Sequence, residues 1–187
     1  MTSLVENLLS LARAEGGAEA IALAPIRIGD LLRQVGEAWK VPMNNAELDF
    51  GVEAPEQDLW ALGDAHGIPR LLSILLENAS KYTPPGGIVR ASVATDGPRI
   101  VLSVSDTGQG IAPEHLPRIF DRFYRVAESG ISMHEGSGLG LALGRWIAER
   151  HGTELCVESQ PGRGSRFFFA LQGTRHRLEA GQATRSS

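Results

Sequence analysis

The sequence predicts an α+β fold, a two-layer α/β sandwich in which a mixed sheet carries its helices on one face. Two observations predict it. Apolar residues alternate with polar ones in two pairs of segments joined by tight turns, which is typical of antiparallel hairpins. Helical segments lie before and between these pairs, and strands and helices do not alternate as βαβ units. At 187 residues, the chain is long enough for one principal domain with short appendages.

The first segment, Thr2–Glu15, is predicted to be a short helix. Its apolar stripe through Leu4, Leu8 and Leu11 stops at a glycine pair. Such a stripe requires a partner helix, and no complementary helix follows it directly. We therefore expect this segment to be the end of a longer helical hairpin.

The next elements follow from apolar spacing. A helix is predicted over residues 28–39, and strand-like stretches follow at Glu47–Val52 and Leu59–Leu62. The strongest helical pattern covers Ala65–Tyr82, where apolar residues recur at i, i+3, i+4 and i+7. Pro69 fits the first turn of that helix.

Two hairpins complete the pattern. Strands at Val89–Val93 and Ile100–Val104 flank an Asp-Gly-Pro turn, and strands at Glu154–Ser159 and Ser165–Leu171 flank a glycine-bearing turn. A helix over Leu139–Arg150 lies between the hairpins. The predicted organisation is a helix remnant at residues 1–16, a linker at 17–25, the main domain at 26–173 and a disordered tail at 174–187.

The composition excludes several classes of protein. Hydrophobic residues make up 42% of the chain and charged residues 21%, with a formal net charge of −4, which indicates a soluble protein with no nucleic-acid surface. No apolar run approaches the ~20 residues of a membrane span, and the layout of a signal peptide is missing. Cys156 is the only cysteine, so we expect no internal disulfide, no structural zinc and a reducing compartment.

Three glycine-rich stretches indicate a nucleotide site, at residues 106–110, 136–140 and 162–164. A P-loop is excluded because neither lysine, Lys40 or Lys81, lies in a Gly-Lys-Ser/Thr context. The phosphate-binding element must therefore be of another kind.

The second stretch opens a helix. Leu141 stands where a dinucleotide fingerprint needs its third glycine or alanine, and no Gly-x-Ser-x-Gly nucleophile elbow occurs in the chain. What remains is a helix N-terminus opened by Gly136, Gly138 and Gly140. Its free N–H groups and dipole favour phosphate, and the missing side chains allow close approach.

Polar residues on the long helix offer further contacts. Asn78, Lys81 and Tyr82 are spaced i, i+3 and i+4 and share a face apart from the leucine stripe. Taken alone they would be a solvated face, but the downstream glycines favour a binding role. Asp106 ends an apolar strand, where its carboxylate either accepts from an amino group such as that of adenine or caps a plain Asp-Gly turn.

Taken together, these segments resemble the catalytic domain of sensor histidine kinases, in the superfamily that includes gyrase and mismatch-repair ATPases and has the Bergerat ATP-binding fold. The resemblance covers roughly residues 26–172. The segments that carry it are similar to the N box (Glu77–Pro84), the first glycine box (Asp106–Ile111), the F box (Ile119–Arg125), the second glycine box (Gly136–Leu141) and the last glycine box (Gly162–Phe167).

The resemblance implies roles for individual residues. Asn78 would coordinate Mg²⁺ at the phosphates, Lys81 and Tyr82 would contact phosphate and nucleotide, and Asp106 would recognise the adenine amino group. Arg125 is the candidate for the γ-phosphate, so the implied catalytic residues are Asn78, Lys81 and Arg125. Further nucleotide contacts are implied for Gly108, Gly110, Ile111, Tyr124, Gly136, Ser137, Gly138, Leu139, Gly140 and Ser165.

A lid over ATP is implied at residues 112–135, with a mobile part at 128–135. The aromatic residues Phe120, Phe123 and Tyr124 would anchor this lid, and the composition is equally compatible with their being simple core residues.

Two departures bear on the reaction. Ile74, one turn before Asn78, occupies the place of the water-activating glutamate of the hydrolysing relatives, and Glu77 lies elsewhere on the helix. This favours phosphoryl transfer over hydrolysis. None of the five histidines has the family's phosphoacceptor context; these are His66, His115, His134, His151 and His176.

The implied function is binding of Mg-ATP and in-line transfer of the γ-phosphoryl to a histidine on a dimerisation helix missing from this chain. The first sixteen residues resemble the end of the second dimerisation helix, so we expect no self-phosphorylation. The implied partners are the histidine-bearing helices and a response regulator receiver domain, in a cytoplasmic homodimer or in the cytoplasmic portion of a membrane-bound sensor. The alternatives are a serine kinase or ATPase of the same superfamily, or a non-catalytic nucleotide-binding module.

Overall fold

The computed structural model of the protein describes residues 22–54, 57–126 and 137–174. The predicted opening helix, the tail beyond Thr174 and the site residue Gly136 lie outside these ranges. In chain order, the elements are β1 (Ala24–Arg27), α1 (Ile28–Asn45), β2 (Asp49–Glu53), β3 (Trp60–Gly63), α2 (Gly67–Tyr82), β4 (Ile88–Asp96), β5 (Arg99–Asp106), a 3₁₀ turn (Leu116–Arg118), α3 (Gly140–Arg150), β6 (Cys156–Gln160) and β7 (Gly164–Thr174).

Seven strands form one mixed sheet. Their order is β1-β3-β7-β5-β4-β2, and β6 pairs with β7 outside this path. The β2–β4 pair is parallel, and the remaining pairs are antiparallel. The predicted mixed sheet is therefore confirmed, and both predicted hairpins form.

The core lies between the helices and one face of the sheet. In β5, the apolar Leu102 and Val104 are buried together with Ser103 between them, while Val101 before them and Ser105 after them are only half-buried. The alternation places one side of each strand against the buried helix faces. The predicted α+β class, with helices layered against a sheet, is confirmed.

Two limits of the main domain lie outside the predicted range of residues 26–173. Strand β1 includes Ala24 and Pro25, which are predicted to be linker, and β7 runs to Thr174, which is predicted to be tail. The β1 segment has a single buried residue, Ile26, so it shows no alternation from which a strand could be predicted. It is held by antiparallel pairing with β3.

Helices α2 and α3 run antiparallel and approach closely at glycines. A Cβ atom on Gly67 would lie 3.1 Å from Cε1 of His151, and one on Gly144 would lie 3.1 Å from Cδ1 of Leu71. Residues near the start of α2 therefore contact the end of α3, and residues later in α2 contact earlier residues of α3. This register decides which polar residues meet at the candidate site.

Within the described ranges, no helix combines the length and apolar character that a membrane span requires.

Candidate functional site

The C-terminal half of α2 lies against the N-terminal end of α3. Ile74 packs at this boundary, with its Cγ2 atom 3.7 Å from where a Cβ on Gly140 would lie. Asn78 is one turn further along the same face of α2 and is half-buried. The Asn78 Nδ2 donates to the Ile74 carbonyl at 2.9 Å, which leaves the Oδ1 atom as the acceptor of this side chain. Asn78 therefore lies on the turn of α2 that follows the contact with the start of α3.

Lys81 and Tyr82 follow on α2 and lie together. The Lys81 Nζ is 5.2 Å from the centroid of the Tyr82 ring. Lys81 is half-buried and Tyr82 is exposed, so both lie at the edge of the core near the Asn78 end of the helix. The trio of an amide, a cation and a phenol predicted from spacing is therefore assembled at one helix end.

Asp106 ends β5 and is held by two backbone donors. Its Oδ1 accepts from the N–H of Gly108 at 2.8 Å and from the N–H of Ser165 at 3.2 Å. Burial raises the pKa of the Asp106 carboxyl above its ordinary value, and these two hydrogen bonds offset part of the rise. A cavity of about 560 Å³ adjoins Asp106 and is also lined by Ser159 and Ser165.

The first and last glycine boxes interlock. The Gln109 N–H donates to the Tyr82 carbonyl at 3.2 Å, and the Gly162 N–H donates to the Gln109 carbonyl at 2.7 Å. Gly110 has φ +71°, and a Cβ there would lie 1.9 Å from the Gln160 carbonyl oxygen. Only glycine fits at that contact. The loop after Asp106 is therefore fixed between the end of α2 and the β6–β7 turn.

Ser159 completes this junction. Its hydroxyl accepts from the Ile111 N–H at 2.8 Å and contacts the Ser165 Oγ at 2.9 Å. From the sequence, Ser159 is predicted only to be a strand residue. It lies two residues after the apolar Val157 on the same face of β6, so the signal in the sequence is a hydroxyl where the alternation calls for an apolar side chain.

The second glycine box meets the F box through backbone. Gly138 has φ +68°, and its carbonyl accepts from the Phe123 N–H at 2.9 Å. Ser137 Oγ accepts from the Leu139 N–H at 3.4 Å, just before α3 begins. The N–H groups of the first helical turn, from Gly140 onward, have no intrahelical partners by the geometry of a helix. They are the donors expected to bind an anion.

The F box is anchored by two of its three aromatic residues. The Tyr124 hydroxyl lies 2.8 Å from His115 Nδ1, and the Arg118 guanidinium lies over the Tyr124 ring at 4.3 Å. Phe120 packs edge-on to Phe167, with ring centroids 6.4 Å apart. The Phe120 contact joins the described part of the predicted lid to the sheet, whereas the Tyr124 contacts lie within residues 112–135 themselves.

Phe123 differs from the other two aromatic residues of the F box, because it is largely exposed. Phe123 has φ +62°, a left-handed conformation that is uncommon for a bulky side chain, and the residue is 65% exposed. The backbone at Phe123 is held by Gly138, and this conformation turns the ring outward. Arg125, the candidate for the γ-phosphate contact, is also exposed.

A buried hydroxyl beside the site has no protein partner in the part of the chain that the structure describes. Thr83 is 6% exposed, and its Oγ1 is buried without a hydrogen bond. It directly follows Tyr82, whose carbonyl lies 2.4 Å from where a Cβ on Gly108 would be. The Thr83 Oγ1 therefore has an unused hydrogen-bonding position where the end of α2 meets the loop after Asp106.

Comparison with known proteins identifies the family. A family model described as "Histidine kinase-, DNA gyrase B-, and HSP90-like ATPase" matches residues 63–175. The sensor histidine kinase YkoH of Bacillus subtilis is 36% identical over 165 residues, which is 88% of this chain and 35% of that protein. The sensor-like histidine kinase SenX3 of Mycobacterium tuberculosis is 34% identical over 90% of this chain and 41% of its own length.

Solved structures agree in fold. The full-length structure of ShkA in complex with AMPPNP has a TM-score of 0.77 and 32% identity, covering 93% of this chain and 36% of that one. The mycobacterial sensor histidine kinase MprB has a TM-score of 0.67 and 28% identity, covering 81% of this chain and 98% of that one. The chain spans 35% to 41% of the length of YkoH and SenX3. It belongs to the family of histidine kinase-, DNA gyrase B- and HSP90-like ATPases, as a homologue of the catalytic domain of sensor histidine kinases.

Proposed function

We propose that the chain binds ATP with Mg²⁺ between the C-terminal end of α2 and the N-terminal end of α3, and transfers the γ-phosphoryl group to a histidine on a separate dimerisation helix. The observation that carries the proposal is the helix register. Ile74 packs against Gly140, so Asn78, one turn further along α2, is expected at the N-terminal end of α3, where an anion would bind. The similarity to sensor histidine kinases and to a structure in complex with AMPPNP supports it.

The residues fit the two ends of ATP. The Asp106 carboxylate would accept from the adenine amino group, beside the interlocked loops that hold it. Lys81 and the first-turn N–H groups of α3 would receive the phosphates. Tyr82 and Tyr124 would border the nucleotide, and Arg125 would reach the γ-phosphate from the lid.

The donor set fits Mg²⁺ shared with the nucleotide. Among the described residues, no three His, Cys, Asp or Glu side chains form a cluster that could hold a metal alone. Mg²⁺ in ATP sites usually takes one or two protein oxygens, phosphate oxygens and waters, and the Asn78 Oδ1 would be the protein ligand. When bound, Mg²⁺ neutralises phosphate charge.

The transfer is a displacement at phosphorus. A ring nitrogen of the acceptor histidine forms a bond to the γ-phosphorus, the bond from that phosphorus to the β–γ bridging oxygen breaks, and ADP leaves with the electron pair. The imidazole proton passes to solvent. In this chain, the place of a water-activating carboxylate is taken by Ile74, which is 7% exposed, so hydrolysis has no base at that position.

The partners are part of the proposal. The acceptor histidine belongs to a dimerisation helix, and the phosphoryl group then passes to a receiver domain of a response regulator. The complete protein is proposed to be a homodimer. The chain spans 35% of the length of its relative YkoH, so these functions require further parts of the protein.

Nucleotide binding tests the first half of the proposal. We expect titration calorimetry to detect ATP binding in Mg²⁺, and Asn78→Ala to weaken it about tenfold or more by removing the metal ligand. In EDTA, the ATP affinities of wild type and Asn78→Ala should differ less than they do in Mg²⁺. The matched control is Asn45→Ala, an exposed residue at the end of α1. Equal affinity of Asn78→Ala and wild type in Mg²⁺ would exclude the metal assignment.

Phosphoryl transfer is tested separately. The protein is incubated with γ-labelled ATP and a purified helical hairpin of a sensor kinase that carries the acceptor histidine. Label on the hairpin that is acid-labile and base-stable supports transfer to histidine. Acid-stable label would indicate a serine kinase, and release of free phosphate without label would indicate an ATPase. If the protein binds ATP but neither labels the hairpin nor releases phosphate, it is a nucleotide-binding module, and the proposed phosphoryl transfer is contradicted.

A further inference from the structure

The hydroxyl of Ser159 is the centre of a three-way contact beside Asp106. It accepts from the Ile111 N–H at 2.8 Å and donates to the Gly164 carbonyl at 2.9 Å. Its third neighbour is the Ser165 Oγ, also at 2.9 Å. The contact joins the loop after Asp106 to the start of β7.

The donors and acceptors fix the hydroxyl protons. The Ile111 N–H can only donate, and the Gly164 carbonyl can only accept. A serine hydroxyl has one proton and two lone pairs. The Ser159 proton therefore points to Gly164, and one lone pair receives Ile111. The remaining lone pair receives the proton of Ser165, so every hydrogen-bonding position of Ser159 is used.

The consequence appears at Ser165, which lies opposite Asp106 in the sheet. The Ser165 N–H is directed to the Asp106 Oδ1, and its hydroxyl proton is directed to Ser159. Toward any other neighbour, the Ser165 Oγ offers only lone pairs. Ionised Asp106 also only accepts. All three residues line the cavity of about 560 Å³, together with Arg163 and Arg166, so a ligand beside the Asp106–Ser165 pair meets two acceptors from that pair.

We propose that Ser159 is a positioning residue for base selectivity: by holding the Ser165 proton, it keeps the Asp106–Ser165 pair an acceptor-only edge that admits a 6-amino purine and rejects a 6-keto purine. The inference rests on the proposed function, because it requires the nucleotide base to lie at Asp106. The proposal places the 6-substituent of the base between Asp106 and Ser165. A purine amino group there donates one proton to each oxygen, whereas a keto oxygen meets acceptors on both sides and leaves its own hydrogen bond unmade.

A purely structural role predicts a different outcome. If Ser159 only tied the loop of Ile111 to β7, its loss would loosen the site for every purine nucleotide alike. The proton-holding role changes the ratio of affinities instead, because a released Ser165 hydroxyl can rotate and donate to a keto oxygen. The ratio of ATP to ITP affinity is therefore the decisive quantity, since the two nucleotides differ in the base edge at positions 1 and 6.

The experiment measures the dissociation constants of ATP and ITP in Mg²⁺ for the whole chain. We expect wild type to prefer ATP, Ser159→Ala to lower the ATP/ITP affinity ratio about tenfold, and Ser159→Thr, which keeps the hydroxyl, to retain the wild-type ratio. If Ser159→Ala weakens both nucleotides equally, the proposal is overturned and the residue is structural. Wild type that binds neither nucleotide would instead refute the proposed function.

Two further variants keep the test decisive if Ser159→Ala unfolds. Ser159→Cys has a similar shape but a weak donor and acceptor, so it should also lower the ratio. In a Ser165→Ala background there is no hydroxyl proton to hold, and Ser159→Cys should cause no additional change in the ratio. An additional change of similar size in that background would show that Ser159 acts by another route and would overturn the proposal.

Discussion

The imidazole of His151 joins two helix ends that lie far apart in sequence. Its Nε2 accepts from the backbone N–H of Asp64 at 3.0 Å, and its Nδ1 donates to the Ile147 carbonyl at 2.7 Å. The Asp64 carboxylate in turn accepts from the N–H groups of His66 and Gly67, where α2 begins. The start of α2 and the end of α3 are thus held together at the opposite end of the helix pair from Asn78.

Removal of this imidazole is expected to destabilise the domain. His151→Leu leaves the Asp64 N–H without its acceptor, and an unsatisfied partly buried donor costs about 1–3 kcal/mol. Urea unfolding followed by circular dichroism would measure the loss. The control is His66→Leu, because the His66 side chain is exposed. Equal unfolding free energies for the two variants would contradict the bridge.

The sequence predicted the elements more completely than it predicted their connections. The stripe of Leu71, Leu72 and Leu75 on α2 and the alternation in β5 are local patterns, and each was found as expected. The bonds of His151 to Asp64 and of Ser159 to Ile111 span 87 and 48 residues of chain. Such bonds depend on the packed arrangement of elements, which apolar spacing does not encode.

The sequence predicted which types of residue form the site, but not how all of their side chains are arranged. The spacing of Asn78 and Lys81 on one helix located the polar end of α2, because the helical period alone fixes it. The outward ring of Phe123 could not be predicted, since it follows from a left-handed backbone held by Gly138. Three-dimensional contacts were needed to distinguish that exposed ring from the packed ring of Phe120.

Asp106→Asn is expected to increase the stability of the domain and to weaken its binding of ATP. Burial raises the pKa of Asp106 in the folded protein. The stabilising contribution of such a group is fully present below its unfolded pKa and is lost as pH rises through the folded pKa. At neutral pH the ionised carboxylate therefore destabilises the fold. Asparagine does not ionise and keeps an oxygen for the Gly108 and Ser165 N–H groups, so the variant should be more stable at about pH 8.

Urea unfolding at about pH 8 and about pH 4 tests this linkage, because the advantage of the variant should shrink as Asp106 becomes protonated. ATP affinity at neutral pH should fall about tenfold to hundredfold, because an amide donor replaces a charged acceptor. The control is Asp96→Asn, which is exposed in the β4–β5 hairpin. An Asp106→Asn protein less stable than wild type at both pH values would refute the burial argument.

Ile74→Glu should not create an ATPase. Ile74 is 7% exposed and packs against Gly140 and Gly144, so a glutamate there would bury a carboxylate between α2 and α3. An unpaired buried charge is expected to cost about 3–5 kcal/mol, whereas Ile74→Leu should cost less than about 1.5 kcal/mol. Urea unfolding and a phosphate-release assay would measure both consequences. Stable Ile74→Glu protein with increased phosphate release would show that the position can accept a hydrolytic base.

Gly138→Ala should impair nucleotide binding beyond the effect of its backbone conformation. Gly138 and Gly152 have the same φ of +68°, but a Cβ on Gly138 would lie 2.8 Å from the Phe123 Cα, whereas one on Gly152 meets nothing within 4 Å. Both alanine variants carry the left-handed strain of about 1 kcal/mol. Only Gly138→Ala must also displace the F-box backbone from the N-terminus of α3, where the phosphates are proposed to bind.

We expect urea unfolding to detect a loss of stability in both variants. ATP titration should detect at least about a tenfold loss of affinity in Gly138→Ala alone. Equal ATP affinity in the two variants would mean that contact between Phe123 and Gly138 does not shape the phosphate site.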